Sequence, residues 1–145
     1  VPETLAGATV ISTDAAFALW KTDRVAFVDV LPRSPKPAKL PEGTIWHEQP
    51  RYSIPGAIWL PNVGYGEIAG VMHDYFRAGL KKMTNGDIDH PVVFFCLQDC
   101  WMSWNAAKRA LDYGYTHVFW YPEGVDGWKS GNHPVEQLQP EPGGK

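Results

Sequence analysis

The chain has 145 residues, with 13 basic and 16 acidic side chains and a formal net charge of −3. A chain of this length is expected to form one domain with a real core, and it has no basic stripe that would predict binding to nucleic acid or to an anionic membrane. With nucleic acid and anionic membranes disfavoured, we expect a small molecule or another protein as partner. Because no apolar run is long enough to cross a bilayer, we also expect no membrane insertion.

The two ends of the sequence differ from its middle, which predicts one domain over residues 10–135. Residues 1–9 begin with Val1 rather than Met and resemble the polar start of a processed chain, so we expect that a leader has been removed. Residues 136–145 end in Pro-Glu-Pro-Gly-Gly-Lys without an apolar anchor, and we expect them to form a disordered tail.

The first predicted elements are a short strand at residues 10–11 and a helix capped by Ser12 or Thr13. A buried strand over residues 25–31 follows, with Asp29 near its end. We expect Asp29 to be structural and to accept hydrogen bonds from loop amides.

The segment from Pro32 to Pro55 is rich in proline and has hardly any periodic pattern, so we expect an extended loop. Loops of this length in a compact domain are usually functional or mobile. If this loop folds over a pocket, four cations in it would supply a positive field there: Arg33, Lys36, Lys39 and Arg51.

The rest of the chain alternates between predicted strands and helices. These are a strand at 54–60, a helix within 66–82, a strand at 92–95, a helix at 103–113 and a strand at 117–121. Such alternation is typical of an α/β domain with a central, mainly parallel sheet and helices on both faces.

Both cysteines lie in the segment Cys96-Leu97-Gln98-Asp99-Cys100-Trp101, directly after the predicted strand at 92–95. A strand-to-helix turn presents backbone N–H groups and the positive end of the helix dipole, which stabilise a thiolate. We therefore predict that Cys96 is the reactive group and that Cys100 resolves it into a disulfide. Two alternatives stay open: buried cysteines that pack as small hydrophobes, and a short structural disulfide.

Polar residues near Cys96 are expected to support the site. Sites in parallel sheets form beyond the carboxyl ends of the strands, where Cys96, Asp29 and the turn at Glu123 all lie. Glu123 is expected to organise its turn, and Ser103 to act either as a helix N-cap or as a ligand contact. No histidine lies near the cysteines in sequence, so we predict neither a metal site nor a cofactor.

Three sequence pieces, taken in order, resemble those of a rhodanese domain. They are Val28-Asp29-Val30, Ile54-Pro55-Gly56-Ala57 and Glu123-Gly124-Val125-Asp126-Gly127-Trp128, with Cys96 after the intervening strand. The string from Cys96 to Ala110 is also similar to a narrower group, the rhodanese-like CXXCW-motif proteins associated with catabolism by pyrroloquinoline quinone (PQQ)-dependent dehydrogenases. Here three residues, rather than two, separate the cysteines.

The resemblance implies a persulfide on Cys96, held in a loop whose backbone amides cradle the anion. The loop residues on which this would fall are Leu97, Gln98, Asp99, Trp101, Met102 and Ser103. Rhodanese loops are commonly rich in glycine and basic residues, whereas this loop has neither and carries the carboxylate of Asp99. At an effective dielectric constant of about 20, a like charge about 4 Å away would cost an anionic donor such as thiosulfate on the order of 4 kcal/mol.

Two functions are consistent with these features. The first is a periplasmic rhodanese-like protein, a sulfurtransferase or thiol–disulfide exchange protein, that acts through Cys96 and Cys100 in connection with PQQ-dependent alcohol oxidation. The second is a non-catalytic accessory or binding module for a PQQ dehydrogenase or its cytochrome. A large aromatic side chain at Trp101, inside the loop, would either wall off the pocket or mark a protein contact. The spacing of Trp104 with Ala107 and Leu111 predicts one packed helix face.

Overall fold

A computed structural model describes residues 1–33 and 38–144. In chain order these residues form β1 (Thr9–Val10), α1 (Thr13–Lys21), β2 (Ala26–Asp29), β3 (Arg51–Ser53), β4 (Ile58–Trp59), α2 (Gly70–Thr84), β5 (Val92–Phe95), α3 (Trp101–Asp112), β6 (Val118–Tyr121), α4 (Gly124–Ser130) and β7 (Glu136–Leu138). Within these residues, no helix combines the length and the apolar character needed to cross a membrane.

A parallel five-stranded sheet forms the centre of the domain, in the order β1-β6-β5-β2-β4. Strand β5 lies between β2 and β6, and its last residue, Phe95, is paired with Asp29 on one side and with Tyr121 on the other. The carboxyl ends of the three strands therefore lie level at one edge of the sheet. The residues that follow them, beginning with Cys96, are brought together at this edge, where sites form in parallel sheets.

Each face of the sheet is covered by two helices. Successive residues of a strand point to opposite faces, so Phe94 packs towards α2 and α3, whereas Phe95 packs towards α1 and α4. The alanines of α3 are small enough to let this helix lie close to the sheet: Ala106, Ala107 and Ala110. This arrangement confirms the predicted α/β class, with helices on both faces.

The predicted disordered tail is wrong for residues 136–144. Strand β7 pairs antiparallel with β3, the backbone N–H of Glu141 donates to the Trp59 carbonyl (2.9 Å), and the Tyr75 hydroxyl donates to the Glu141 carbonyl (2.7 Å). Backbone hydrogen bonds order this segment, although it has few apolar side chains. For the same reason the proline-rich segment contains a strand, β3. Lys145, also in the predicted tail, lies outside the described residues.

Residues 1–9, predicted as a processed N-terminal segment, pack against the domain. Leu5 is buried in the core beside α3, and the indole N–H of Trp104 donates to the carbonyl of Thr4 (3.0 Å). Trp104 thus packs on the domain with one helix face, as its spacing predicted, and it also anchors the start of the chain.

Candidate functional site

The two cysteines occupy the loop between β5 and α3. Cys96 directly follows β5, and Cys100 is the N-cap residue of α3. Both are free, and their sulfur atoms lie 2.6 Å apart, with the Cys96 thiol donating to the Cys100 sulfur. Such a pair closes into a disulfide with only a small movement. The structure thus brings together the two sulfurs that were predicted to form the site.

Cys96 is the buried member of the pair. Its side chain has 0% relative exposure and packs within the core on the α2 and α3 face. The hydrogen bond to Cys100 and burial both raise the pKa of the Cys96 thiol, and the nearby Asp29 carboxylate adds to this. Cys96 therefore keeps its proton at neutral pH. The prediction that the loop lowers the pKa of Cys96 is wrong.

Cys100 is the sulfur that ionises. It is partly exposed, and its pKa is lowered to about 6, chiefly because it accepts a hydrogen bond from Cys96. Burial opposes this shift, but backbone N–H groups of Met102, Leu97 and Ser103 also stabilise the anion. The stabilisation by loop amides that the sequence predicted for Cys96 thus acts on Cys100.

The middle of the loop is fixed by the segment after β6. The N–H of Gln98 donates to the Asp126 carboxylate (2.8 Å), and the N–H of Asp99 donates to the Pro122 carbonyl (3.2 Å). The N–H groups of Gln98 and Asp99, which were predicted to bind an anion, therefore donate to other groups of the protein. Asp99 adopts a left-handed backbone with φ of 54°, which Asp tolerates better than most residues, and its side chain is exposed.

Ser103 is neither the N-cap of α3 nor an exposed ligand contact. The helix begins two residues earlier, at Trp101, so Ser103 lies inside its first turn and is buried. Its hydroxyl donates to the Cys100 carbonyl (3.1 Å) and accepts from the Trp120 indole N–H (3.0 Å). Ser103 thereby ties the cysteine loop to β6.

Asp29 is structural, as expected, but its main partners are side chains. One carboxylate oxygen accepts from Arg51 Nε (2.7 Å) and Ser53 Oγ (2.8 Å), and the other accepts from the Leu31 N–H (3.0 Å). The cations of the proline-rich segment were predicted to supply a positive field over the pocket. Two of them are paired with carboxylates, which reduces this field: Arg51 forms an ion pair with Asp29, and Arg33 forms one with a glutamate. Lys39 is exposed, and Lys36 lies outside the described residues.

Glu123 connects its turn to α1. It directly precedes α4, and its carboxylate accepts from the Thr13 hydroxyl (3.1 Å), which also bonds to the Tyr121 hydroxyl (2.6 Å). The turn then contacts the cysteine loop directly, because the N–H of Val125 donates to the Cys96 carbonyl (3.0 Å).

Two glycines that the sequence analysis did not interpret allow close packing around the loop. Gly124 has a φ of +59°, and a Cβ there would lie 2.4 Å from the Cys96 carbonyl oxygen. A Cβ on Gly64 would lie 2.4 Å from the Met102 carbonyl oxygen. Glycine often occurs where another backbone segment passes too close to leave space for a side chain. The sequence does not indicate which segment passes close to a given glycine.

The exposed part of the loop includes two large apolar side chains. Trp101 is 49% exposed and Leu97 is 37% exposed, and the Trp101 ring packs edge-on against Trp104 at a centroid distance of 5.5 Å. Across residues 1–33 and 38–144, no cluster of three or more His, Cys, Asp or Glu side chains is arranged to hold a metal ion.

The fold is similar to those of several solved structures. They include a thiosulfate sulfurtransferase from Pseudomonas aeruginosa (16% identity, TM-score 0.61, covering 92% of this chain and 21% of that one). An uncharacterized protein from Saccharomyces cerevisiae (21% identity, TM-score 0.53, covering 86% and 92%) and a polysulfide-sulfur transferase homodimer from Wolinella succinogenes (16% identity, TM-score 0.55, covering 90% and 80%) are also similar. The chain thus spans about a fifth of the Pseudomonas protein.

At these identities the structural likenesses show the fold alone. No curated protein matches the sequence. A family model described as the rhodanese-like domain matches residues 16–131, from α1 to the end of α4. This match includes the whole sheet except β1, the cysteine loop and the turn that supports it, and the chain belongs to the rhodanese-like domain family.

Proposed function

We propose that this rhodanese-like domain is a dithiol protein that exchanges disulfides or transfers sulfane sulfur through Cys96 and Cys100. The observation that carries the proposal is the pair of free sulfurs, 2.6 Å apart, at the carboxyl edge of the sheet. The printed names of two structural neighbours, a thiosulfate sulfurtransferase and a polysulfide-sulfur transferase, support sulfur chemistry by analogy of fold.

Disulfide exchange needs only the groups of the pair and a partner disulfide. The Cys100 thiolate attacks one sulfur of the partner, which forms a mixed disulfide and releases the other sulfur as a thiolate. Cys96 then attacks the Cys100 sulfur, and its proton passes to the second partner thiolate as that group leaves. The partner disulfide gains two electrons, and the Cys96–Cys100 pair loses them.

The surroundings of the pair favour uncharged donors over thiosulfate. The loop supplies no cation, and the guanidinium groups of Arg33 and Arg51 are engaged by carboxylates. Asp99, which precedes Cys100 in the loop and is exposed, adds a negative charge to the loop. A dianion approaching the Cys100 thiolate meets like charges, whereas a neutral organic disulfide does not.

The proposal is tested by measuring how many molecules of a small disulfide each protein molecule reduces under anaerobic conditions. Fully reduced protein is mixed with excess cystamine, and the released thiol and the protein mass are measured. We expect each protein to lose two hydrogens and to reduce one cystamine, and we expect neither single variant, Cys96→Ser nor Cys100→Ser, to complete the reaction. A wild-type protein that keeps both thiols would refute the proposal.

The resemblance to the CXXCW-motif group supports a location and a partner for this activity. We place the protein in the periplasm, acting with a PQQ-dependent dehydrogenase or its cytochrome in alcohol oxidation. An oxidising periplasm would keep the pair as a disulfide unless a partner reduces it. Fractionation of the natural host, followed by crosslinking and identification of the captured proteins, tests both points.

A second candidate function is a non-catalytic binding module for the same dehydrogenase or cytochrome. It is favoured by Trp101, which is 49% exposed beside the cysteines, because large aromatic side chains are enriched in protein interfaces. This function predicts that Trp101→Ala loses partner capture while the Cys96→Ser and Cys100→Ser variants retain it. Disulfide exchange predicts instead that Cys96→Ser traps the partner as a mixed disulfide on Cys100, that Cys100→Ser loses covalent capture, and that Trp101→Ala retains it.

A further inference from the structure

The two sulfurs of the site differ in how an incoming molecule can reach them. Cys96 has 0% relative exposure, whereas Cys100 is partly exposed at the N-terminus of a helix of 12 residues. The backbone N–H groups of Leu97, Met102 and Ser103 help to lower the pKa of the Cys100 thiol. A sulfur donor must meet the attacking sulfur directly, so the donor meets Cys100.

An additional sulfur atom on Cys96 would have to lie inside the core. Cys96 belongs to the core cluster that fills the α2 and α3 face of the sheet. An extra atom in a well-packed core forces neighbouring side chains out of place. A persulfide on Cys96 is therefore disfavoured, whereas one on Cys100 extends from the partly exposed side of the loop.

A persulfide on Cys100 is also within reach of the second thiol. The Cys96 sulfur lies 2.6 Å from the Cys100 sulfur, which would become the inner sulfur of the persulfide. Attack at this position closes a disulfide and expels the outer sulfur as sulfide. Because both groups are held in place, the reaction is intramolecular and has a high effective concentration.

We propose that a persulfide or polysulfide donor loads its sulfane sulfur onto Cys100 and that Cys96 discharges it as sulfide, so that the domain reduces sulfane sulfur instead of carrying it. This inference rests on the proposed dithiol function and gives it a substrate class. It also reverses the roles of nucleophile and resolving thiol predicted from the sequence.

The atoms and electrons balance in two steps. First, the Cys100 thiolate attacks the outer sulfur of a donor R–S–SH, takes that sulfur as Cys100–S–SH and releases R–S⁻. The persulfide then loses its proton to solvent. Next, the Cys96 sulfur bonds to the Cys100 sulfur, the bond to the outer sulfur breaks, and the Cys96 proton leaves with that sulfur as HS⁻. The sulfane sulfur gains two electrons from the two cysteines, and a thiol reductant must regenerate the pair.

The test uses the reduced protein, freed of reductant, with glutathione persulfide as donor under anaerobic conditions. Released sulfide is measured above a protein-free control, and the intact mass is recorded after the thiols are blocked. For the wild type we expect one sulfide per protein and a Cys96–Cys100 disulfide. For Cys96→Ser we expect a persulfide on Cys100 and sulfide release slower by more than about 100-fold, because the intramolecular attack is lost.

Control variants keep the test decisive. Cys96→Ala repeats the measurement without a buried hydroxyl, and we expect it to accumulate the same persulfide. Cys100→Ser should load no sulfur. A wild-type protein that retains a persulfide, or a persulfide mapped to Cys96, would overturn the inference, although cystamine reduction would still support the proposed function. Failure of both reactions would overturn both.

Discussion

The ionisation of Cys100 makes a quantitative prediction for its alkylation. With a pKa of about 6, this thiol is about 90% ionised at pH 7, whereas a thiol at the ordinary value of 9.0 is about 1% ionised. A lower pKa also reduces intrinsic nucleophilicity, by about 15- to 30-fold over this interval. The expected advantage in rate at pH 7 is therefore only about three- to sixfold, and the pH profile is the better observable.

The profile should follow the fraction of Cys100 thiolate. Because the pKa is lowered, the thiolate persists as the pH falls towards about 6 and is protonated below it, so alkylation should rise with a midpoint near pH 6. In Cys96→Ala the thiol donor is lost. A hydrogen bond to a charged group is worth about 1.5 kcal/mol at the low end, and a thiol is a weak donor, so the midpoint should rise by about one pH unit.

The assay is alkylation by limiting iodoacetamide across this pH range, with the modified cysteine identified by peptide mapping. Cys100 should be modified first at every pH in the native wild type. A circular dichroism spectrum confirms that the variant is folded. The reasoning is refuted if Cys96 is modified first, or if the rate continues to rise to about pH 8 or 9 as for an ordinary thiol.

Three further predictions concern stability and substrate charge. Arg51→Ala should lower the free energy of unfolding by about 3–5 kcal/mol in urea denaturation, because it leaves the buried Asp29 carboxylate without its ion pair; a loss below about 1 kcal/mol would contradict this. Gly124→Ala should destabilise the protein and slow cystamine reduction more than Gly114→Ala, which also has a positive φ but no atom near the new Cβ; equal effects would show that the close approach is unimportant. Asp99→Asn should speed the reaction with thiosulfate about fivefold at low salt, since an exposed charge at about 4 Å contributes about 1 kcal/mol, and an unchanged rate would remove Asp99 from the account of substrate charge.

Much of the fold could be predicted because side-chain patterns determine it. The apolar run at 92–95 is a fully buried central strand, and the alanines of α3 mark its packed face. Strand β7 gave no such pattern, because it is ordered by backbone hydrogen bonds to β3. The tertiary fold decides which segments pair through their backbones, so this pairing cannot be predicted from the local sequence.

The roles of the two sulfurs depended on a helix boundary. The sequence predicted that the helix begins at Ser103, which leaves Cys100 in the middle of the loop. In the structure the helix begins at Trp101 and Cys100 is its N-cap, so the first N–H groups of the helix reach Cys100. Helix ends are the least certain part of a prediction from sequence. Here the predicted and observed helix starts differ by two residues, and this difference decides which cysteine forms the stabilised thiolate.

A redox titration with a mass readout tests the central claim most directly. The native protein is equilibrated in a series of dithiothreitol redox buffers, its thiols are trapped by alkylation, and the intact mass is recorded at each potential. We predict one two-electron transition between a dithiol and a Cys96–Cys100 disulfide, absent from Cys96→Ser and from Cys100→Ser. Two thiols that stay free in every buffer, or a disulfide that no buffer reduces in the folded protein, would contradict it.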